Sequence, residues 1–335
     1  MERKIRWGII STALIATAKV IPGMQRSRRG TVDAIASRDA ERARRVAAEL
    51  GIARSYGSYE ALLADPDIDA VYNPLPNNLH VDWTIAAASA GKHVLCEKPL
   101  GMDAEDAARL RAAAGERHIM EAFMVRFHPQ WLRTRELVRA GRIGELRLIH
   151  VAFSYDNRDP DNIRNRPETG GGALLDIGCY GIVSGRFCFE AEPQRVMSLI
   201  ERDPTFGTDR LSSVVADFGG GRRLVFTVST QIAPHQRVLL AGTGGQIEIM
   251  VPFNAPQMEE TRIRIDDGSQ LGGGSAVEEV FPPVDQYAEE ADAFARAVLG
   301  ETALPYGVED GIRNMQILDA IVRSERSGRW EPTGL

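Results

Sequence analysis

Lys98 lies in the run Glu97-Lys98-Pro99, and far downstream the glycine-rich segment 170–180, GGGALLDIGCY, supplies Asp176 and Tyr180. A lysine beside a strand end, followed by a proline that fixes the chain direction, is a candidate cation aimed into a cleft. An ammonium, a carboxylate and a phenol are together suited to moving a proton on or off an oxygen. Tyr180 follows Asp176 by four residues, so on a helix the two side chains share one face. The pattern suggests a proton-transfer site built from two distant stretches of chain.

Elements able to position such groups can be read from the periodicity. Short β-branched runs over 5–10, 32–37, 70–73, 93–97 and 119–123 alternate with Ala-rich amphipathic stretches over 39–50, 78–90 and 103–114. That is the grammar of βαβ units in a buried parallel sheet. A further helix over 129–140 precedes a change. From residue 146 strand-like segments follow one another, over 146–155, 195–200, 213–218, 224–231, 237–241 and 246–249, separated by glycine turns. They read as an antiparallel sheet, and two closing helices are expected over 286–299 and 309–324. The expected class is α/β, with a doubly wound parallel N-terminal domain over 1–125 and an α+β C-terminal domain over 126–335.

A chain of 335 residues is generous for one domain and comfortable for two. The net charge of −6 comes from acids and bases that are interspersed, which gives no footprint for nucleic acid or an anionic membrane surface. Small-molecule partners follow as the default. Cys96, Cys179 and Cys188 lack metal-site spacing, so neither a disulfide framework nor a metal site is expected. No apolar stretch is long enough for a bilayer, and the N-terminus runs into a strand without a signal-peptide core, so a cytoplasmic location is expected.

The first strand ends in Gly8-Ile9-Ile10-Ser11-Thr12-Ala13-Leu14-Ile15-Ala16, where a Rossmann fold turns its backbone around a pyrophosphate and starts a helix. Against the pattern G-x-G-x-x-G/A, Ser11, Ala13 and Ala16 hold the three small-residue positions. An ordinary tight turn would use the same residues, and Ala13 takes a positive φ less readily than glycine. After the second strand stands Ser37-Arg38, a hydroxyl and a guanidinium suited to a 2′-phosphate, where NAD-selective proteins usually carry an acid. NADP is the expected cofactor, with NAD possible. Asp39 comes next and could cap the following helix, leaving Arg38 only solvated.

With these motifs in order, together with Asn73-Pro74-Leu75-Pro76-Asn77-Asn78-Leu79-His80 and the runs 91–100 and 176–180, nearly the whole chain resembles the glucose-fructose oxidoreductase/inositol dehydrogenase (Gfo/Idh/MocA) family. It looks closest to the branch of NADP-dependent D-xylose dehydrogenase and dimeric dihydrodiol dehydrogenase, because Asp161-Asn162-Ile163-Arg164 precedes the glycine run and tyrosine stands at 180, where many members carry histidine. The resemblance implies an open-faced, mostly antiparallel C-terminal sheet that often forms the subunit interface, hence a homodimer or homotetramer. It also implies a cis Lys98-Pro99 peptide and an active site between the domains.

The reaction implied is hydride transfer between a nicotinamide and a carbinol or ketone carbon of a sugar, polyol or vicinal diol. Tyr180 is then the principal proton-transfer group, and Lys98 the cation that orients the hydroxyl and favours tyrosinate. Asp176 could orient the substrate or hold Lys98. Taken singly, the lysine could be solvated, the tyrosine core and the aspartate a cap; their coincidence with the family pattern favours the catalytic reading. Cofactor contacts are expected from Ser11, Thr12, Ala13, Leu14, Ile15, Ser37, Arg38, Asn73, Pro74, Leu75, Asn77, His80, Glu97 and Lys98, although a lone helical histidine such as His80 is more often structural. Substrate contacts are expected from Arg126, Tyr155, Asn162, Arg164 and Asp176, while Trp83, Trp131 and Phe187 should pack. Two other readings remain: an enzyme that retains and recycles its cofactor, as for glycoside cleavage or paired sugar oxidation and reduction, and a non-catalytic NADP-sensing regulator.

Overall fold

A computed structural model describes residues 3–335. Packing divides the chain into two compact units: the N-terminal part up to Met124 together with Asp285–Ile312, and Val125–Val284 together with Arg313–Leu335.

The first unit is built on a parallel sheet of six strands: β1 (Ile5–Ile10), β2 (Gly30–Ala36), β3 (Arg54–Tyr56), β4 (Ala70–Asn73), β5 (His93–Glu97) and β6 (Ile119–Ala122). Their order is β3-β2-β1-β4-β5-β6, the doubly wound arrangement expected from the alternating strands and helices. β1 and β4 are buried almost throughout, which is why they read as apolar runs. β3 has no such signal. It is a three-residue edge strand, half-exposed, whose Arg54 reaches Asp65 at 2.6 Å.

The helix Gln286–Val298 also belongs to this unit, a departure from the expected boundary at 125/126. Phe294 lies against Trp7 with ring centroids 5.3 Å apart. Asp292 accepts the backbone N–H groups of Arg28 and Arg29, each at 3.0 Å, just before β2. The chain thus returns to the first unit late in the sequence, through contacts that no local pattern announces.

The second unit holds a nine-stranded sheet: β7 (Leu146–Asp156), β8 (Arg195–Arg202), β9 (Asp209–Asp217), β10 (Arg223–Ser229), β11 (Gln231–Gly242), β12 (Gly245–Ile249), β13 (Thr261–Asp266), β14 (Val277–Phe281) and β15 (Glu331–Pro332). The order is β14-β13-β12-β11-β7-β10-β9-β8-β15, with only β7 and β10 parallel. Sequence periodicity missed β13, β14 and β15, which are short or carry charges between their apolar residues.

One side of this sheet is core. Ile149, Val151, Phe153, Val214, Phe226, Val238 and Leu240 are buried, while the residues between them keep partial exposure. Every residue of the helix Cys179–Phe189 is buried. It approaches the sheet closely because Gly181 and Gly185 stand four residues apart: a Cβ at Gly181 would come within 2.8 Å of the Phe226 ring, and one at Gly185 within 2.9 Å of Leu224 and Phe218.

Candidate functional site

In the first unit the candidate residues gather at the carboxyl ends of the parallel strands, where doubly wound sheets bind ligands. β1 stops at Ile10, and Ser11 reverses the chain with φ 110, a backbone region that side-chain-bearing residues rarely enter. Its N–H donates to the Ala36 carbonyl at 3.0 Å, which ties the turn to the end of β2. A helical segment follows, π-helical over Ala16–Val20 and α-helical over Ile21–Gln25. The special backbone position is therefore Ser11, and Ala13 keeps a negative φ. Thr12 is buried, and Leu14 is 79% exposed on the turn. With only small side chains at Ser11, Ala13 and Ala16, the turn leaves its amides open to a diphosphate, so these residues fit a dinucleotide.

Ser37 is buried and its Oγ accepts the Asp39 N–H at 3.2 Å. Asp39 caps the helix Ala40–Leu50, accepting the N–H groups of Glu41 and Arg42. Its carboxylate is thus engaged in the cap, and Arg38 stands exposed beside it. Arg42, which sequence reasoning overlooked, reaches back to the Thr12 carbonyl at 3.3 Å and links this corner to the first turn. The only signal for it was helical spacing from Arg38.

Asn73 is fully buried. Its Nδ2 donates to the His80 carbonyl and Thr84 Oγ1, and its Oδ1 accepts from Leu75 N–H, so it staples the loop 73–80. Pro74 and Leu75 are buried and Asn77 is half-buried. The His80 ring sits between two carbonyls, Pro99 O at 2.8 Å from Nδ1 and Leu75 O at 2.6 Å from Nε2. Burial pushes its pKa down to about 4 despite both carbonyls, so the neutral ring donates to one of them. His80 therefore ties the loop to the peptide after Lys98.

The Lys98-Pro99 peptide is cis, as the family resemblance implied. Lys98 N–H donates to Glu97 Oε2 at 3.3 Å, and Glu97 Oε1 accepts the Tyr72 hydroxyl at 2.6 Å. Tyr72 is buried, and desolvation together with the Glu97 charge holds its phenol well above the usual range. It was not anticipated, because in sequence it is one apolar residue of β4.

In the second unit Asp176 is the hub. Its Oδ2 accepts the Tyr155 hydroxyl at 2.6 Å and Arg164 Nε at 3.0 Å. Burial first, then the Asp176 charge, raises the Tyr155 pKa, so the phenol stays a donor. Asn162 caps the short turn that carries Arg164, accepting its N–H at 3.0 Å. Asp176 lies in a π-helical turn, Leu174–Gly178, that passes into the helix Cys179–Phe189 with Tyr180 in its first turn. The α-helical face expected for Asp176 and Tyr180 is thus widened by one residue of hydrogen-bond span, a feature frequent at functional sites. Tyr180 packs on Phe153 and Phe253, with centroids 5.9 and 5.3 Å away. Trp131 and Phe187 join this aromatic group, and Trp83 packs on Tyr59 in the first unit, as expected. Arg126 is 3% exposed, at the start of the second unit.

A doubly wound sheet with a first turn of small residues, joined to a second sheet that bears a half-buried, hydrogen-bonded set of titratable side chains, defines a dinucleotide-binding enzyme in two parts. Two family profiles cover most of the chain: the oxidoreductase family with an NAD-binding Rossmann fold over residues 5–127, and the GFO/IDH/MocA C-terminal domain over 131–248. An uncharacterised oxidoreductase of Rhizobium meliloti is 48% identical across 98% of both chains. D-xylose 1-dehydrogenase (NADP(+)) 2 of Haloferax volcanii is 40% identical, over 96% of this chain and 98% of the relative. Among solved structures, a 3-ketoreductase from Actinomadura kijaniata in complex with NADP and TDP-benzene superposes with a TM-score of 0.89 at 32% identity, over 96% of this chain and 98% of the other. The chain belongs to the Gfo/Idh/MocA oxidoreductase family and is a nicotinamide-dinucleotide-binding oxidoreductase. Among the described residues no helix is long and apolar enough to cross a membrane.

Proposed function

We propose that the protein is an NADP-dependent oxidoreductase that moves hydride between the nicotinamide and a carbinol or ketone carbon of a sugar, polyol or vicinal diol. The observation that carries the cofactor choice is the corner after β2. Asp39 spends its carboxylate on a helix cap, while Ser37, the exposed Arg38 and the neighbouring Arg42 leave hydroxyl and guanidinium groups for a 2′-phosphate. The substrate class draws on the D-xylose dehydrogenase, whose name carries a sugar, and on the 3-ketoreductase, whose name carries reduction at a ketone.

When bound, NADP supplies the hydride acceptor or donor. The chain's own residues handle the proton. Tyr180 Oη takes it from a substrate hydroxyl in oxidation and returns it in reduction, and the Lys98 ammonium orients that oxygen and favours the tyrosinate. Asp176 keeps Tyr155 and Arg164 in fixed positions, from which the Tyr155 oxygen accepts from a substrate hydroxyl and the remaining N–H groups of Arg164, with Asn162 and Arg126, bind substrate oxygens. Ser11 to Ile15 hold the diphosphate; Asn73, Pro74, Leu75, Asn77, His80 and Glu97 shape the loops at the carboxyl ends of β4 and β5.

The open side of the second sheet is the surface for self-association into a homodimer or homotetramer. Met197 and Leu199 are exposed on β8, and Val215, Val225 and Leu239 keep partial exposure in one row across β9, β10 and β11, with the exposed His150 of β7 between the last two. Light scattering during gel filtration tests this: a monomer excludes it.

The reaction is tested by a panel of aldoses, polyols, vicinal diols and keto sugars, followed through the absorbance of reduced nicotinamide in both directions and with both NADP and NAD. Turnover of a sugar or diol with preference for NADP is the expected result. No turnover anywhere on the panel overturns the substrate class, and equal use of NAD overturns the role of the Ser37-Arg38 corner.

A further inference from the structure

The helix that carries Asp176 and Tyr180 begins without a cap of its own. Ala173 occupies its N-cap position and offers no side-chain hydrogen bond, and the preceding glycines have no side chain. Helix starts leave backbone N–H groups that need an acceptor. Here the acceptor comes from a distant strand: Asp209, the first residue of β9, takes the Leu174 N–H on Oδ2 at 2.7 Å, and the same oxygen accepts the Ser212 hydroxyl at 2.8 Å.

The backbone is pressed against this carboxylate. Gly172 has φ 115, and a Cβ there would fall 1.9 Å from Asp209 Oδ1. Gly172 O in turn accepts the Asp176 N–H at 3.2 Å. From Asp209 the links therefore run through Leu174 and Gly172 to the backbone of Asp176, whose carboxylate holds Tyr155 and Arg164.

We propose that Asp209 is a positioning residue: its carboxylate clamps the turn from which the helix springs, and so aims Asp176 and Tyr180. This rests on the catalytic reading of those two residues given above. The groups that face it are Arg202 of β8, whose charge favours the carboxylate, and Tyr155 of β7, which feels that charge. The residue as a whole keeps some exposure, yet its carboxyl is crowded by protein atoms, and this desolvation raises its pKa to about 6. Near neutrality it is ionised and grips the Leu174 N–H as a charge-assisted acceptor, which a helix N-terminus favours.

The test compares Asp209→Asn and Ser212→Ala with the wild type in thermal melting, NADPH binding by nicotinamide fluorescence, turnover of the best substrate from the panel, and amide hydrogen exchange. Asp209→Asn should lower kcat about ten- to a hundredfold, as misaimed catalytic groups do, with NADPH binding unchanged. Exchange should quicken over 172–180 and not elsewhere, and the acid limb of the kcat profile near pH 6 should vanish. Unchanged kcat with unchanged exchange at 172–180 overturns the proposal, as does a loosening spread evenly over both units. If Asp209→Asn does not fold, Ser212→Ala is read by the same exchange, where quickening confined to 172–180 supports the clamp and no change removes it. If the wild type turns over nothing, the proposed reaction fails, and the exchange data still decide whether Asp209 holds the turn.

Discussion

The two units build their candidate sites by different means. In the first, the polar residues sit consecutively at strand ends, Ser11 after β1, Ser37 and Arg38 after β2, Asn73 in β4 and Glu97 in β5, so the sheet itself brings them to one edge. In the second, Tyr155, Arg164, Asp176 and Asp209 come from a strand end, a short turn, a π-helical turn and another strand, and hydrogen bonds alone gather them. A site laid on parallel strand ends tolerates loss of one side chain, because backbone amides do much of the binding. A site assembled from side chains has no such reserve.

The largest effects should come from the groups assigned to the proton. Tyr180→Phe and Lys98→Met are each expected to cut kcat by about 10²- to 10⁴-fold, the usual worth of a positioned acid or base. Binding of NADPH, followed by fluorescence titration, should survive both changes. Wild-type turnover in either variant would remove that residue from the mechanism. Loss of NADPH binding in Tyr180→Phe would break the division of labour between the two units.

How legible each site was follows from the same contrast. The turn after β1 and the Ser37-Arg38 corner are contiguous motifs at places dictated by strand order, and both stand at strand ends, with Ser11 taking the positive φ. The parallel sheet was readable because buried strands are apolar throughout, and β3 escaped because it is not. In the second unit, Leu174 to Gly178 carry no mark that separates a π turn from an α turn. The pairing of Asp209 with Leu174 joins residues 35 apart, and Asp292 reaches Arg29 across 263. Such contacts are set by packing of the whole chain, which single-sequence periodicity does not encode.

A smaller effect should follow at the strand-end corner. Removing one charge-assisted contact is worth about 1.5–3 kcal/mol, so Arg38→Ala should raise the KM for NADP roughly ten- to a hundredfold while leaving that for NAD nearly unchanged. Steady-state kinetics with each cofactor measures this directly. Equal changes for both would mean that Arg38 acts on the fold of the corner and not on a 2′-phosphate. Arg42→Ala sharpens the point: a similar selective loss would make the corner a two-guanidinium clamp.

The smallest effect separates the units by their response to acid. In the first, burial pushes His80 and His93 down to about 4, so between pH 6.5 and 4 the unfolded chain takes protons that the native state refuses. Their stabilisation is complete above about pH 6.5 and drains away as pH falls toward 4. In the second unit His128 behaves in the same way, with burial lowering it to about 4. Asp209 has the opposite sign there: its raised pKa means that the native state holds a proton more firmly than the unfolded chain, so its contribution is lost as pH rises through about 6 and regained on acidification. Going from pH 7 to 5, the first unit should therefore lose more protection than the second in amide hydrogen exchange, once intrinsic rates are corrected. In Asp209→Asn the offset disappears and the second unit should become more acid-sensitive than in the wild type, while still less so than the first, which has two such histidines to its one. If the second unit opens first in the wild type, these buried groups do not govern the difference.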